Sequence, residues 1–402
     1  MGQDDIQALQ DFWEKHANCD PLYAILADPS RKGRKWTVRE FFETGQKEIS
    51  VLLFNLECLN IGFGRARALD FGCGIGRLTQ ALASYFDQVA GVDISSTMIR
   101  LANAFNRFPA RVRYICNPND HLKVFADREA DFIYTNIVLQ HLRPELTLKY
   151  LEEFRRILRP GGLLIFQLPS HRREHVWAGA PRPAGGNDDY ASTLRLDSIP
   201  SSPCSPSTEI KLKVYVKNAS RHDWQPTDAP IRLGNHWLSE DGKNMLIQDD
   251  ARAQLPAVIR AGEVIPIDLV VRTPPREGDY RCELDLVLEG VHWFKDTGGS
   301  TTSFFLQVRS GATESRRGPT AGQDKPLPAD DGDIALPEDV YGQLPAEAED
   351  PGDFPMNGIP KEHVVDFFQS RGDAVIRIED DDHGGKEWIG YRYFVRRGSF
   401  ST

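Results

Sequence analysis

The sequence of 402 residues lacks several features that would define its class at once. Its six cysteines stand singly, with no Cys-x-x-Cys pair, which argues against a disulfide framework and against a metal site built on cysteine. No run approaches the roughly 18 apolar residues of a membrane span. The start MGQDDIQALQDFWEKH has neither the basic nor the apolar region of a secretion signal. These absences predict a cytoplasmic protein in a reducing compartment, without a membrane span or a metal.

The charge of the chain is acidic, with a formal net charge of −10. We find no basic stripe in the sequence, so a nucleic-acid partner is not expected. Hydrophobic residues make up 40% and charged residues 26% of the chain, which is ordinary for a globular protein. The length predicts two to three domains.

The most informative stretch is ALDFGCGIGRLTQALASYF, residues 68–86, where a short apolar strand is followed by a glycine-rich turn and a helix. Glycines let the backbone approach a ligand closely, and the helix N-terminus offers unpaired N–H groups. Seventeen residues after Gly76, Asp93 ends a second strand, where a carboxylate can accept both hydroxyls of a ribose. The pattern therefore predicts a nucleoside-binding site.

The spacing of the glycines decides which nucleoside cofactor is expected. They fall as Gly72-x-Gly74-x-Gly76, whereas dinucleotide enzymes use G-x-G-x-x-G, with Gly where this chain has Arg77. Asp70, two residues before the first glycine, would meet a cation sooner than a phosphate. A sulfonium that carries an amino acid fits this pattern better than a pyrophosphate does.

Four motifs in order, LDFGCGIGRLT, GVDISSTMIRLA, DFIYTNIVLQHL and LRPGGLLIFQLP, resemble those of class I S-adenosylmethionine-dependent methyltransferases. The resemblance covers residues 68–169 and implies S-adenosyl-L-methionine as the cofactor. It places Gly72, Gly74 and Gly76 along the methionine part, with Asp70 near the amino group or holding the loop. It implies the following further contacts: Asp93 to the ribose, Ile94 and Met98 to the adenine ring, Asp120 (or else Asn119) to the adenine amino group, and Asn136 at the methionine end.

Methyl transfer from a sulfonium mainly requires that donor and acceptor be held in line. A hydroxyl acceptor would also need a base, for which His141 is the candidate, although packing at a helix start is the alternative. A carboxylate or amine acceptor would need no strong base. The aromatic N-terminal segment, with Trp13 and Tyr23, is expected either to cover the substrate or to pack on the sheet.

From about Trp36 to Ser170 helical and strand-like segments alternate, which predicts an α/β fold, and the last strand, EWIGYRYFVRR, completes the predicted sheet. A methyltransferase sheet of this class ends with a helix and an antiparallel pair, and residues 359–397 supply them. We predict a discontinuous seven-stranded Rossmann-like sheet, with this strand between the fifth and sixth and an all-β sandwich inserted. The predicted divisions are 1–171 and 353–402 for the methyltransferase domain, 172–207 and 311–352 for two linkers, and 208–310 for the sandwich.

Residues 208–310 loosely resemble the Ig-like modules of bacterial polysaccharide-assembly proteins. Trp237, His292, Trp293 and Phe294 would either stack on sugars or fill the sandwich core. The sequence therefore predicts a methyltransferase, favouring O-methylation of a sugar, glycan or glycan precursor, with the sandwich contacting glycan or protein. The alternative is a non-catalytic binding or assembly protein.

Overall fold

The computed structural model describes residues 3–172, 191–200, 202–225, 230–247, 250–256, 258–289, 292–297, 299–310, 344, 351–381, 383–385 and 387–398. The chain divides into two compact units. Unit 1 comprises residues 1–50, 62–176 and 323–402, and unit 2 comprises residues 51–61 and 177–322. Each unit has its own sheets and its own core.

Unit 1 is built on a seven-stranded sheet in the order β15-β16-β5-β4-β1-β2-β3. Neighbours among β1 to β5 pair in parallel, whereas β16 pairs antiparallel with both β5 and β15. The central strands read as continuous apolar runs because helices cover both faces. The strands are β1 (Arg67–Phe71), β2 (Gln88–Asp93), β3 (Val112–Cys116), β4 (Ala130–Thr135), β5 (Leu158–Arg172), β15 (Ala374–Asp381) and β16 (Trp388–Arg396).

Seven α-helices lie in the described part of the chain. They are α1 (Gln3–Cys19), α2 (Pro21–Ile25), α3 (Val38–Cys58), α4 (Arg77–Leu82), α5 (Ser96–Ala104), α6 (Pro144–Ile157) and α7 (Lys361–Gln369). Short 3₁₀ turns span Pro29–Arg31, Leu139–His141 and Phe294–Thr297. α6 starts with Pro at its first position, which suits a helix N-terminus because that N–H has no helical partner. Its Leu151 and Phe154 are buried in the core of unit 1 with Phe368 of α7.

The C-terminal hairpin confirms the predicted place of the last strand. β16 lies between β5 and β15, and Tyr393 stacks on Phe166 of β5 with ring centroids 4.9 Å apart. The seven-stranded mixed sheet is therefore completed by residues that lie about 200 positions after β5. This arrangement requires the chain to leave the sheet and return to it.

Unit 2 consists of antiparallel sheets. β7 lies between β6 and β11 in a three-stranded sheet, while β8 and β12 are central in a six-stranded sheet. Side chains of both sheets, such as Val214 and Leu284, belong to one buried core. The strands are β6 (Ser192–Leu196), β7 (Glu209–Asn218), β8 (Ile231–Ser239), β9 (Met245–Ile247), β10 (Arg252–Gln254), β11 (Val264–Arg272), β12 (Gly278–Leu288), β13 (His292–Trp293) and β14 (Thr302–Val308).

Two details of unit 2 differ from the sequence analysis. β6 lies inside the stretch predicted as the linker 172–207, where it pairs with β7 through Leu194 and Val216. The alternation of apolar and polar residues in β6 covers only five positions, which is too short to be recognised in a stretch rich in Pro and Ser. The other detail is a row of exposed lysines along β7, Lys211, Lys213 and Lys217, which is a local basic row where none was expected.

The last turns of α3 belong to unit 2 by their contacts. Phe54 is buried in the sandwich core and stacks on Tyr280 with ring centroids 6.5 Å apart. Glu57 forms an ion pair with Arg276 at 2.8 Å. Unit 2 therefore includes a helical segment that precedes β1 in sequence.

Within the ranges that the structure describes, no helix is both long enough and apolar enough to cross a membrane.

Candidate active site

The glycine loop joins β1 to α4 in a left-handed backbone path. Gly72, Gly74 and Gly76 have φ values of 73°, 52° and 89°, which side-chain-bearing residues rarely adopt. The N–H groups of Gly72 and Cys73 donate to the Val92 carbonyl of β2, at 2.8 and 3.0 Å. The loop is therefore tied to the carboxyl end of the neighbouring strand.

Space around the loop also requires glycine. A Cβ atom on Gly72 would lie 2.4 Å from Cγ2 of Val138, and one on Gly74 would lie 2.4 Å from Cδ1 of Ile25. Both distances are far below van der Waals contact. The segment after β4 and helix α2 thus approach the loop from two sides.

Asp93 ends β2 and holds the same loop. Its Oδ2 accepts from the Gly74 N–H at 2.8 Å, and its Oδ1 accepts from the Ser95 N–H at 2.9 Å. Burial raises the pKa of Asp93 above its usual range, while these N–H groups act in the opposite direction. Each carboxylate oxygen retains acceptor capacity beyond these single bonds.

Asp70, at the end of β1, is almost completely buried. Its Oδ2 accepts from the Thr79 hydroxyl at 2.6 Å, and its Oδ1 has no hydrogen-bond partner among the described residues. Burial raises the pKa of Asp70 to about 7, although the Thr79 hydroxyl and the Arg77 charge oppose the rise. A cation that reached Asp70 would stabilise its ionised form.

A cavity of about 800 Å³, its solvent-open mouth included, lies against the loop. Most of its lining is apolar, and the polar exceptions include Asp93, Asn117 and Asn136. The predicted residues that line it are Gly72, Gly74, Asp93, Ile94, Met98 and Asn136, joined by Leu9 and Trp13 of α1, Ala24 and Ile25 of α2, Phe71, Val92, Asn117, Ile137, Val138, Leu142 and Tyr150.

Asp120 does not line the cavity, which differs from the sequence prediction. Its carboxylate forms an ion pair with Lys149 at 2.7 Å. Asn117, directly after β3, lines the cavity instead, and its amide nitrogen donates to the carbonyls of Asn119 and His121 at 3.2 and 2.9 Å. The loop after β3 lacks the dipeptide that the family usually has here, so the sequence did not identify the residue that lines the cavity.

His141 is also absent from the cavity lining. Its Nδ1 donates to the Pro355 carbonyl at 2.7 Å, and its Nε2 lies 3.2 Å from the Gln140 amide nitrogen. Burial lowers the pKa of His141 to about 4, so the ring is neutral at pH 7. Its ring lies 5.3 Å from that of Trp13 and 5.7 Å from that of Phe354. This environment is typical of a packed histidine rather than of a general base.

Glu48 of α3 was missed by the sequence analysis. Its Oε1 accepts from the Asn136 amide and the Tyr134 hydroxyl, both at 2.8 Å, and its Oε2 lies 2.9 Å from Nη1 of Arg77. The signal was present, because Glu48 follows Phe41 by seven residues and so falls on the apolar stripe of the helix. An acid on a buried helix face needs such partners.

Part of the chain is similar in sequence to a known protein family. Residues 69–166 match the family described as "Methyltransferase domain". The chain is 36% identical over 109 residues to a trans-aconitate 2-methyltransferase of Methylobacterium radiotolerans, covering 27% of this chain and 39% of that protein. It is 29% identical over 163 residues to the biotin biosynthesis bifunctional protein BioHC of Cellvibrio japonicus, covering 39% and 29% respectively.

A similar solved structure is that of an S-adenosylmethionine-dependent methyltransferase from Clostridium acetobutylicum, with 11% identity and a TM-score of 0.37. The match covers 89% of this chain and 92% of that one. The chain spans less than half the length of the two curated relatives named above. Residues 69–166, which include the glycine loop, Asp93 and Asn136, are thus similar in sequence to a methyltransferase domain.

Proposed function

We propose that the whole protein is an S-adenosylmethionine-dependent methyltransferase. The observation that carries this proposal is the contact of Asp93 with Gly74, which joins the acid of β2 to the glycine loop at the edge of one cavity. A protein that used this fold only as a scaffold would have no need of a loop with three left-handed glycines, two of which line such a cavity.

The residues present fit the cofactor. Asp93 has acceptor capacity for ribose hydroxyls, and Ile94 and Met98 offer apolar contact for an adenine ring. Asp70 is not among the residues that line the cavity, but its Oδ1 has no partner among the described residues, which makes it our candidate acceptor for the amino group. We assign the adenine amino group to the Asn117 region rather than to Asp120, because only Asn117 lines the cavity.

The bound cofactor supplies a methyl group that its own positive charge activates. The chain holds and orients the reactants and excludes water, a task that suits the mainly apolar lining with Leu9, Trp13 and Ile25 above the loop. The geometry of His141 gives no support to general-base catalysis by that residue, since its nitrogens face Pro355 and Gln140.

Calorimetric titration with S-adenosylmethionine and S-adenosylhomocysteine tests the proposal. We expect micromolar binding by the wild type and a loss of at least about 100-fold for Asp93→Ala, since two hydroxyl contacts and the loop anchor are removed together. Asp268→Ala, an exposed acid of β11, is the matched control and leaves binding unchanged. Folded wild-type protein that binds neither ligand would support the non-catalytic alternative.

For the methyl acceptor we propose an oxygen atom of a sugar, glycan or glycan precursor. The support is the loose resemblance of unit 2 to polysaccharide-assembly modules. Trp237 and Phe294 add nothing to it, because both rings are fully buried in the sandwich core, and Trp293 packs on Arg252 at 4.3 Å. The relatives named above include an enzyme for trans-aconitate, a carboxylate. A screen of S-adenosylhomocysteine release should therefore pair nucleotide sugars and oligosaccharides with small carboxylates, and turnover of carboxylates alone would refute the glycan acceptor.

A further inference from the structure

Asn136, directly after β4, presents a buried oxygen that lacks a partner. The residue is 6% exposed and lines the cavity. Its Nδ2 donates to Glu48, whereas its Oδ1 has no hydrogen-bond partner among the described residues. Buried carbonyl oxygens are nearly always satisfied, so an unsatisfied one beside a cavity indicates a missing donor.

Glu48 determines which end of the Asn136 amide is left without a partner. An ionised carboxylate only accepts hydrogen bonds, so it must meet the NH₂ group and leave the oxygen pointing away. Burial acts to raise the pKa of Glu48, but the charges of Arg77 and Arg392 and the Tyr134 hydroxyl outweigh it, and the pKa is lowered. Glu48 therefore stays ionised at neutral pH and keeps the amide in one orientation.

The backbone after Asn136 is held in a strained path. Ile137 has a φ of 59°, which is unusual for a β-branched residue and costs energy that the surrounding structure must supply. The next residue, Val138, is the one that would collide with a Cβ atom on Gly72. The segment after Asn136, held in this strained conformation, therefore lies against Gly72, at the end of the cavity that we assign to methionine.

The chemistry of this end favours a hydrogen-bond donor. An amide oxygen accepts from N–H and O–H groups and repels a carboxylate, whereas the charge of Glu48 behind the amide is balanced by Arg77. The methionine part of the cofactor carries such a donor in its α-ammonium group.

We propose that Glu48 is a positioning residue that turns the Asn136 carbonyl oxygen toward the α-ammonium group of the cofactor. This inference rests on the proposed function. It adds a residue outside the four sequence motifs and a route by which it acts, from Glu48 through Asn136 to the ligand.

Two ligands separate this role from a structural one. S-adenosylhomocysteine carries the amino acid, whereas 5′-methylthioadenosine shares the adenosine and the thioether but lacks the amino acid. For Glu48→Gln, Asn136→Ala and the double variant, we expect S-adenosylhomocysteine to bind about tenfold more weakly by calorimetry, and 5′-methylthioadenosine to bind within about twofold of the wild type. The double variant should lose no more than either single one, because Glu48 acts through Asn136.

The matched control is Glu40→Gln on the same helix, where the acid is exposed and paired with Arg31 at 3.2 Å. It should change neither affinity. If Glu48→Gln lowers the affinity for both ligands by the same factor, or lowers neither affinity, the inference is overturned. It is overturned likewise if the losses of S-adenosylhomocysteine affinity in the two single variants add up in the double variant. If circular dichroism shows that Glu48→Gln is unfolded, Asn136→Ala tests the same discrimination. Wild type that binds neither ligand would instead overturn the proposed function, and this inference with it.

Discussion

Asp70 in unit 1 and Asp285 in unit 2 are both buried, and burial raises the pKa of each to about 7. Their surroundings differ. Both oxygens of Asp285 accept backbone N–H groups, from Leu286 at 2.7 Å and from Lys295 at 3.4 Å. Asp70 keeps one oxygen without a partner, next to the first glycine of the loop. A raised pKa therefore marks burial in both units, and the unsatisfied oxygen is what distinguishes Asp70 from Asp285.

The largest expected difference between the units comes from two glycines with similar backbones. Gly72 and Gly262 have φ values of 73° and 78°, but a Cβ on Gly262 meets nothing within 4 Å. Gly72→Ala adds a collision with Val138 to the backbone strain, so we expect about 100-fold weaker S-adenosylmethionine binding by calorimetry. Gly262→Ala should leave the affinity unchanged. An unchanged affinity in Gly72→Ala would mean that movement of Val138 relieves the collision and would contradict this prediction.

The next largest difference in affinity is expected from substitution of the two aspartates. Asp70→Asn removes a charge that we assign to the cofactor's amino group, so we expect about 10- to 100-fold weaker binding at pH 8. Asp285→Asn should bind as the wild type does. Titration calorimetry on both variants checks this. An equal loss of affinity in Asp285→Asn would show that Asp70 has no special role in binding.

The pH dependence of binding sharpens the same contrast. At pH 6 Asp70 is mostly protonated, because its pKa is raised to about 7, and a bound cation lowers that pKa. Binding therefore releases a proton, and affinity should rise about tenfold from pH 6 to pH 8 and level off above pH 7. Asp70→Asn should flatten the profile and Asp285→Asn should not. A wild-type affinity that is independent of pH would contradict the assignment of Asp70.

The smallest effect is expected for His141. Glutamine at this position keeps some hydrogen bonding but loses the ring that packs beside both Trp13 and Phe354. We expect the melting temperature of His141→Gln to fall by roughly 3 °C. Its S-adenosylmethionine affinity should change by less than about threefold. Once an acceptor is known, loss in this variant of the acid limb of the rate profile, where the rate falls as the base becomes protonated, would restore the general-base hypothesis.

Much of unit 1 could be predicted from sequence because its signals are local. The glycine loop, the acid after β2 and the alternation of strands and helices each lie within a few residues, and the hairpin of β15 and β16 could be assigned to the sheet because the strand count was incomplete. Asn117 and Glu48 were missed for different reasons. Asn117 lies in an irregular loop without a periodic pattern, and the partners of Glu48 are on β4 and α4, which no local pattern connects to α3.

Unit 2 was predicted as an all-β region, but the prediction did not include every segment that belongs to it. β6 was too short to detect, and Phe54 joins the sandwich core from a helix that lies more than 100 residues earlier. Whether the rings of Trp237 and Phe294 were exposed or buried could not be read from alternation alone. Both rings face inward, which only the packing of the two sheets decides.

The contact between Phe54 and Tyr280 has a practical consequence for dividing the protein. A shortened chain from which residues 175–335 are cut would keep α3 but lose every sandwich residue that covers its last turns. The exposed phenyl ring and its apolar neighbours would favour self-association, even if the cofactor site were intact. A soluble version of unit 1 should therefore also carry a polar substitution at Phe54, and the cofactor affinity of a cut chain is best measured with that change in place.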